Sequence, residues 1–197
     1  MTVPPPTVPE WAAHVRAAYD GPLDGTASVH DDGFGPPTVD VPVERWLDAV
    51  RLARDDLGLV FFDWLSAVDE LDDGFRLVCH VAAHAPGALR HLLVRTLLAR
   101  ERPAVDSVAQ VFAGAAWHER ETHEMFGVEF LRDGQVLGLA PLLLPDSFEG
   151  HPLRKDFVLA SRVAKPWPGA KEPGESGTSS RRRPRAPGVP DPTEWGP

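Results

Sequence analysis

The chain has 197 residues, enough for one domain with a sizeable core plus extensions and too few for several catalytic modules. Its 29 acidic side chains outnumber 20 basic ones for a net charge of −9, which argues against a general nucleic-acid-binding surface. No apolar run approaches the roughly 20 residues of a membrane-crossing helix, the opening MTVPPPTVPEW has neither region of a signal peptide, and the single cysteine, Cys79, excludes an internal disulfide, a CxxC pair and an iron–sulfur cluster held by this chain's cysteines alone, so a reducing, cytoplasmic setting is expected.

Residues 1–39 read as a proline-rich segment with a short helix. Asp40 is positioned to cap a second helix with Pro42 in its first turn. Val43, Trp46, Leu47, Val50, Ala53 and Leu57 then recur at a helical period until Gly58 stops it. Leu59–Leu65, Phe75–Ala83 and His91–Leu98 are apolar runs of strand length separated by turn signals such as Asp72–Gly74, and antiparallel pairing of neighbours is the simplest arrangement. A long helix is expected from Pro103–Asp106 to Phe126, with Gly127 as its stop. Val128–Arg132 and Gln135–Leu139 flank Asp133-Gly134, a strong hairpin signal. The sum is an α+β domain, helices packed on a small, mostly antiparallel sheet, over residues 40–157.

Residues 158–197 differ in kind. They carry 7 basic and 4 acidic side chains where residues 1–157 carry 13 and 25, and they hold 8 of the 21 prolines and 5 of the 17 glycines. Such a segment cannot bury enough apolar area to fold alone, and an extended, disordered tail is expected. Trp167 and Trp195 are costly to leave in water, which suggests that the tail wraps a partner. Arg181-Arg182-Arg183-Pro184-Arg185 is too short a cationic run to hold nucleic acid tightly.

His118-Glu119-Arg120-Glu121-Thr122-His123-Glu124 resembles a zinc-protease motif, but its histidines are five residues apart and diverge by roughly 140° around a helix. A stand-alone metallohydrolase using this cluster remains the enzymatic alternative, and a solvated charge cluster the structural one. On one extended strand His80 and His84 share a face but stand about 13 Å apart, too far to share an ion, and Cys79 points away from His80 as a lone buried thiol. No phosphate-cradling glycine loop or nucleophile elbow is present. An adaptor binding SH3-like modules through Pro4–Pro6 and the tail prolines is a third reading. Continued helically from Val108 and Phe112, the apolar stripe of Val111, Ala115 and Met125 also carries Glu119, so a buried Glu119 paired to an arginine is expected, with Glu121 directed elsewhere.

Glu119-Arg120-Glu121-Thr122-His123-Glu124-Met125-Phe126-Gly127-Val128, followed by the run from Leu142 through Pro145, Gly150-His151-Pro152-Leu153-Arg154-Lys155-Asp156-Phe157, closely resembles the signature of the C subunit of bacterial NADH-quinone oxidoreductase, the complex I component related to parts of membrane-bound hydrogenases. The resemblance spans roughly residues 40–160. It departs at His123-Glu124, where relatives often have an aromatic residue and Asp, and at Leu131–Val136, where relatives place a Gly-His-Pro loop and this chain should form a tight hairpin.

The resemblance implies a scaffold without a catalytic centre, in a peripheral position on the cytoplasmic side of the cell membrane. Its partners would be the hydrogenase-like D subunit, which forms the quinone site with the B subunit, and other components of the peripheral arm. The assembly would be a translocase passing electrons from NADH to quinone, with FMN and iron–sulfur clusters in the partner subunits and neither cofactor nor metal in this one. A reduced assembly with another electron donor is compatible with the same residues. The expected partner-binding residues are Glu119, Arg120, Glu121 and Glu124 in the first block, Gly150, His151, Pro152, Leu153, Arg154, Lys155, Asp156 and Phe157 as an extended strap in the second, and Trp167 and Trp195 in the tail.

Overall fold

The computed structural model describes residues 8–85 and 88–158. Trp167, Trp195 and the arginine run of the tail lie outside them. The order of elements is α1 (Val8–Asp20), β1 (Ser28–His30), β2 (Thr38–Asp40), α2 (Trp46–Asp55), β3 (Phe61–Asp69), β4 (Phe75–Ala85), β5 (Ala88–Leu98), β6 (Ala104–Asp106), α3 (Ala115–Phe126), β7 (Glu129–Arg132) and β8 (Gln135–Val136). The class is α+β, as the sequence pattern indicates.

Five strands form a sheet in the order β1-β2-β5-β4-β3, antiparallel except where β2 runs parallel to β5; β6, β7 and β8 form a second small sheet. Alternation along β4 and β5 turns Phe75, Leu77, Cys79 and Val81, with Leu92, Val94 and Leu98, into the core. Trp46, Val50 and Ala53 of α2 and Trp11, Val15 and Tyr19 of α1 pack into that core, and the Tyr19 hydroxyl donates to Ala49 O at 2.8 Å, satisfying a buried phenol. Cys79 is fully buried, and burial pushes its thiol up.

Two expectations about element boundaries are corrected. Asp40 does not cap α2: it closes β2, where its carboxylate accepts from Arg95 (2.6 and 2.8 Å) and Arg76 (3.4 Å), and a 3₁₀ turn at Val43–Arg45 leads into α2 instead. β2 itself spans Thr38–Asp40. The helix expected from residue 103 begins at Ala115, because Ala104–Asp106 pairs in parallel with Glu129–Leu131 as a strand. The helical periodicity upstream of Ala115 comes from Val108, Val111 and Phe112, which are buried from the turns before α3.

The hairpin at Asp133-Gly134 forms as expected. Both turn residues have positive φ, 51° and 73°, the conformation of a type I′ turn matching strand twist. No described helix is long and apolar enough to cross a membrane.

Candidate functional site

The two signature blocks meet at the C-terminal end of α3. A helix end leaves carbonyls without intrahelical donors, and here Gly127 of the first block supplies one donor and the second block the others. Gly127 N–H donates to His123 O at 2.8 Å, His151 Nδ1–H to Glu124 O at 2.8 Å, Leu153 N–H to Met125 O at 3.2 Å and Arg154 Nε–H to Phe126 O at 2.7 Å. Gly127 takes φ +74°, and a Cβ there would strike the His151 ring and the Arg154 guanidinium, so the chain needs glycine at this joint both for the turn and for the docked segment. His123 Nδ1 lies 2.9 Å from Val128 O and holds the chain as it leaves the helix.

Burial holds His151 below its usual value, its hydrogen bond to Glu124 only partly offsetting this. The ring therefore docks neutral, as the Nδ1–H tautomer. Because the folded pKa is depressed, this contribution is complete above the ordinary histidine value of about 6.5 and is lost as pH falls through the folded value. His151→Ala should cost about 1 kcal/mol at neutral pH, the worth of one neutral hydrogen bond; urea titration at pH 7.5 reads it directly.

The charged groups of the second block also close on this chain. Asp69, 3% exposed at the end of β3, accepts from Arg100 at 2.7 Å, from Leu71 N–H at 2.9 Å and from Lys155 N–H at 2.8 Å, while Arg100 reaches Asp156 at 2.9 Å. Arg154 and Arg100 both stack over Phe75, 5.0 and 5.1 Å from its ring centre. Phe157 stacks on Phe148 with centroids 5.9 Å apart. Residues 151–157 are thus consecutive turns, with Arg154 N–H donating to His151 O and Phe157 N–H to Arg154 O, rather than the extended strap expected. Of its two expected apolar anchors, Phe157 is half-buried and Leu153 points outward, 54% exposed.

The acidic residues of α3 divide three ways. Glu119, 1% exposed, accepts from Ser107 Oγ and Val108 N–H, each at 2.7 Å. Its burial follows the helical stripe, but the expected arginine partner is replaced by a hydroxyl and an amide from the loop after β6, because β6 brings that loop alongside the helix. Glu124, expected at an interface, is buried and accepts from the amides of Leu142, Leu143 (2.9 Å) and Leu144, tying the following loop to the helix. Arg120 does the same from its other side, donating Nε–H to Ala140 O at 2.9 Å and a terminal N–H to Pro141 O. Glu121 has no hydrogen-bond or ion-pair partner among the described residues.

The histidines of the cluster diverge, as their spacing requires. His118 Nδ1 lies 3.2 Å from Leu65 O and 3.4 Å from Leu65 N, so either tautomer satisfies one backbone group on the free edge of β3. His123 turns to Val128 O.

Left outward are Trp117 in the first turn of α3 (61% exposed), Leu143 (61%) and Leu153, with half-buried Glu121 and exposed Lys155 supplying charge. The Arg120 guanidinium lies 5.2 Å from the Trp117 ring and holds it. Sequence reasoning misses Trp117, although the 100° step that turns Glu119 inward places Trp117 roughly 160° away, opposite the core and on one face with Glu121. A large aromatic in that position is the signal for a contact surface.

Residues 39–163 match the family model for the respiratory-chain NADH dehydrogenase 30 kDa subunit. The NADH-quinone oxidoreductase C subunit of Salinispora tropica is 37% identical over 142 residues, 71% of this chain and 56% of that relative, so the chain spans little more than half of its length. The corresponding protein of Roseiflexus castenholzii is 36% identical over 166 residues, 82% of this chain and 88% of the relative. Two solved structures share the fold at lower identity. One comes from the membrane-bound sulfane sulfur reductase, an archaeal respiratory membrane complex (22% identity, TM-score 0.57, covering 77% of this chain and 85% of that one), and one is a trypsin-resistant fragment of Nqo5 (21%, TM-score 0.50, 62% and 97%).

Proposed function

As the chain belongs to the family of the 30 kDa subunit of respiratory-chain NADH dehydrogenase, we propose that it is a non-redox scaffold in the peripheral arm of a proton-translocating NADH-quinone oxidoreductase, on the cytoplasmic side of the membrane. In this reading it supports the hydrogenase-like D subunit, which forms the quinone site with the B subunit, while FMN and iron–sulfur clusters reside in partner subunits. The observation that carries the reading is the use to which the signature residues are put. Glu119, Arg120, Glu124, His151, Arg154 and Asp156 lock one helix end, two loops and a strand end together, which is construction rather than catalysis. Trp117, Leu143 and Leu153 are left outward as apolar side chains available for contact, and Lys155 is exposed as well.

The metallohydrolase reading finds no support in the geometry, because His118 and His123 face different backbone carbonyls. The test is affinity purification of the tagged chain from native membranes. Both quinone-site partners should co-purify, and their recovery should fall at least tenfold for a Trp117→Glu, Leu143→Glu double variant whose melting temperature matches the parent's. Recovery of the tagged chain alone, or unchanged recovery of the two partners from the double variant, would refute docking through this surface.

A further inference from the structure

The open face of the five-stranded sheet, remote from the α3 joint, carries a cluster that the scaffold role does not use. In β4 and β5 the register pairs Ala82 with His91 and His80 with Leu93, so His80 and His91 are diagonal neighbours on one face. Their rings meet at 71°, with His80 Nε2 and His91 Nδ1 3.3 Å apart. His80 Nδ1 lies 2.8 Å from Asp63 Oδ2, and since the carboxylate accepts only, Nδ1 carries the proton and the Nε2 lone pair is aimed at His91. Trp64 stacks on His80 with centroids 5.8 Å apart, fixing the ring plane.

We infer that His80 and His91 form a two-histidine site for a divalent transition-metal ion of the zinc type, with Asp63 orienting His80 from behind. Metal–nitrogen bonds of about 2.0–2.1 Å at tetrahedral angles put two ligand nitrogens roughly 3.3–3.4 Å apart, the separation already present between His80 Nε2 and His91 Nδ1. A carboxylate on the far nitrogen of a ligand histidine is the arrangement that fixes tautomer and raises basicity in metal sites. Among the described residues no third histidine, cysteine or carboxylate completes the set. Two coordination positions therefore stay open to water or to a ligand atom from outside the described residues.

The competing account of the same geometry is a neutral imidazole–imidazole hydrogen bond. Titrating the full-length chain with zinc chloride while following its histidine ring nitrogens by NMR separates the two. The His80 and His91 signals should shift together and saturate with one equivalent of zinc, and His91→Gln should abolish the shift at His80. Asp63 is half-exposed at the sheet edge, so Asp63→Asn should leave folding intact and weaken binding roughly 10–100-fold. Zinc that leaves both signals in place, or an Asp63→Asn variant of parental affinity, would overturn the assignment and leave a hydrogen bond only.

Discussion

Asp69→Ala should destabilise the isolated domain by roughly 3–5 kcal/mol, the cost of stripping one partner from a buried charge pair. The substitution leaves the amides of Leu71 and Lys155 without an acceptor and Arg100 with only the Leu71 carbonyl and exposed Asp156, so the turns of 151–157 should loosen along with global stability. Burial alone would raise the Asp69 pKa, but the hydrogen bond from Arg100 and those from Lys155 and Leu71 outweigh it and hold the carboxyl at about 2. A depressed pKa contributes stability that is whole above the unfolded value near 3.8 and is lost as pH falls through the folded one. The parent should therefore lose roughly 2 kcal/mol between about pH 4 and pH 2 that Asp69→Asn does not lose, an expectation checked by denaturant midpoints across that range.

Glu119→Ala should cost roughly 2–4 kcal/mol, because the Ser107 hydroxyl and the Val108 amide both lose a charged acceptor in a site without water access. Glu119→Gln keeps the shape and one acceptor oxygen, and should cost less than half as much. The pH dependence runs opposite to that of Asp69. Burial raises the Glu119 pKa against the opposing pull of Ser107 and Val108, so its contribution is whole below the ordinary carboxylate value of 4.5 and diminishes as pH rises through the folded value. Glu119→Gln should remove that decline. Equal melting temperatures for parent and Glu119→Ala would show that the carboxylate is solvated.

Those two carboxylates mark how far the sequence can be read. The apolar stripe of the helix ending at Phe126 places Glu119 inward, since 100° per residue is a property of any helix. Its partners are hidden because Ser107 reaches it through β6, and a three-residue strand such as Ala104–Asp106 has too little alternation to be told from a helical first turn. Asp69 gives no signal at all. It stands at the end of an alternating strand, where an acidic residue reads as a solvated terminus, and what buries it is a segment 86 residues later. Helix stops and hairpin turns are legible at Gly58, Gly127 and Asp133-Gly134 because glycine and aspartate answer to local backbone geometry. The second signature block is recognisable by its residues, yet it packs as turns against its own helix end and not as an extended strap, because charged side chains in a loop carry no mark of which surface they face. The His80–His91 pair is equally hidden: the two are 11 residues apart, and only the β4–β5 register makes them neighbours.

The proposed scaffold role requires the outward side chains Trp117, Leu143 and Leu153 to be contacts with the quinone module. Placing a photo-activatable phenylalanine analogue at position 117 and irradiating native membranes measures that contact directly. The expected result is a single major adduct of this chain with the hydrogenase-like D subunit, lost when Leu143 is changed to Glu. Adducts with water alone, or an adduct with a protein outside the oxidoreductase, would contradict it.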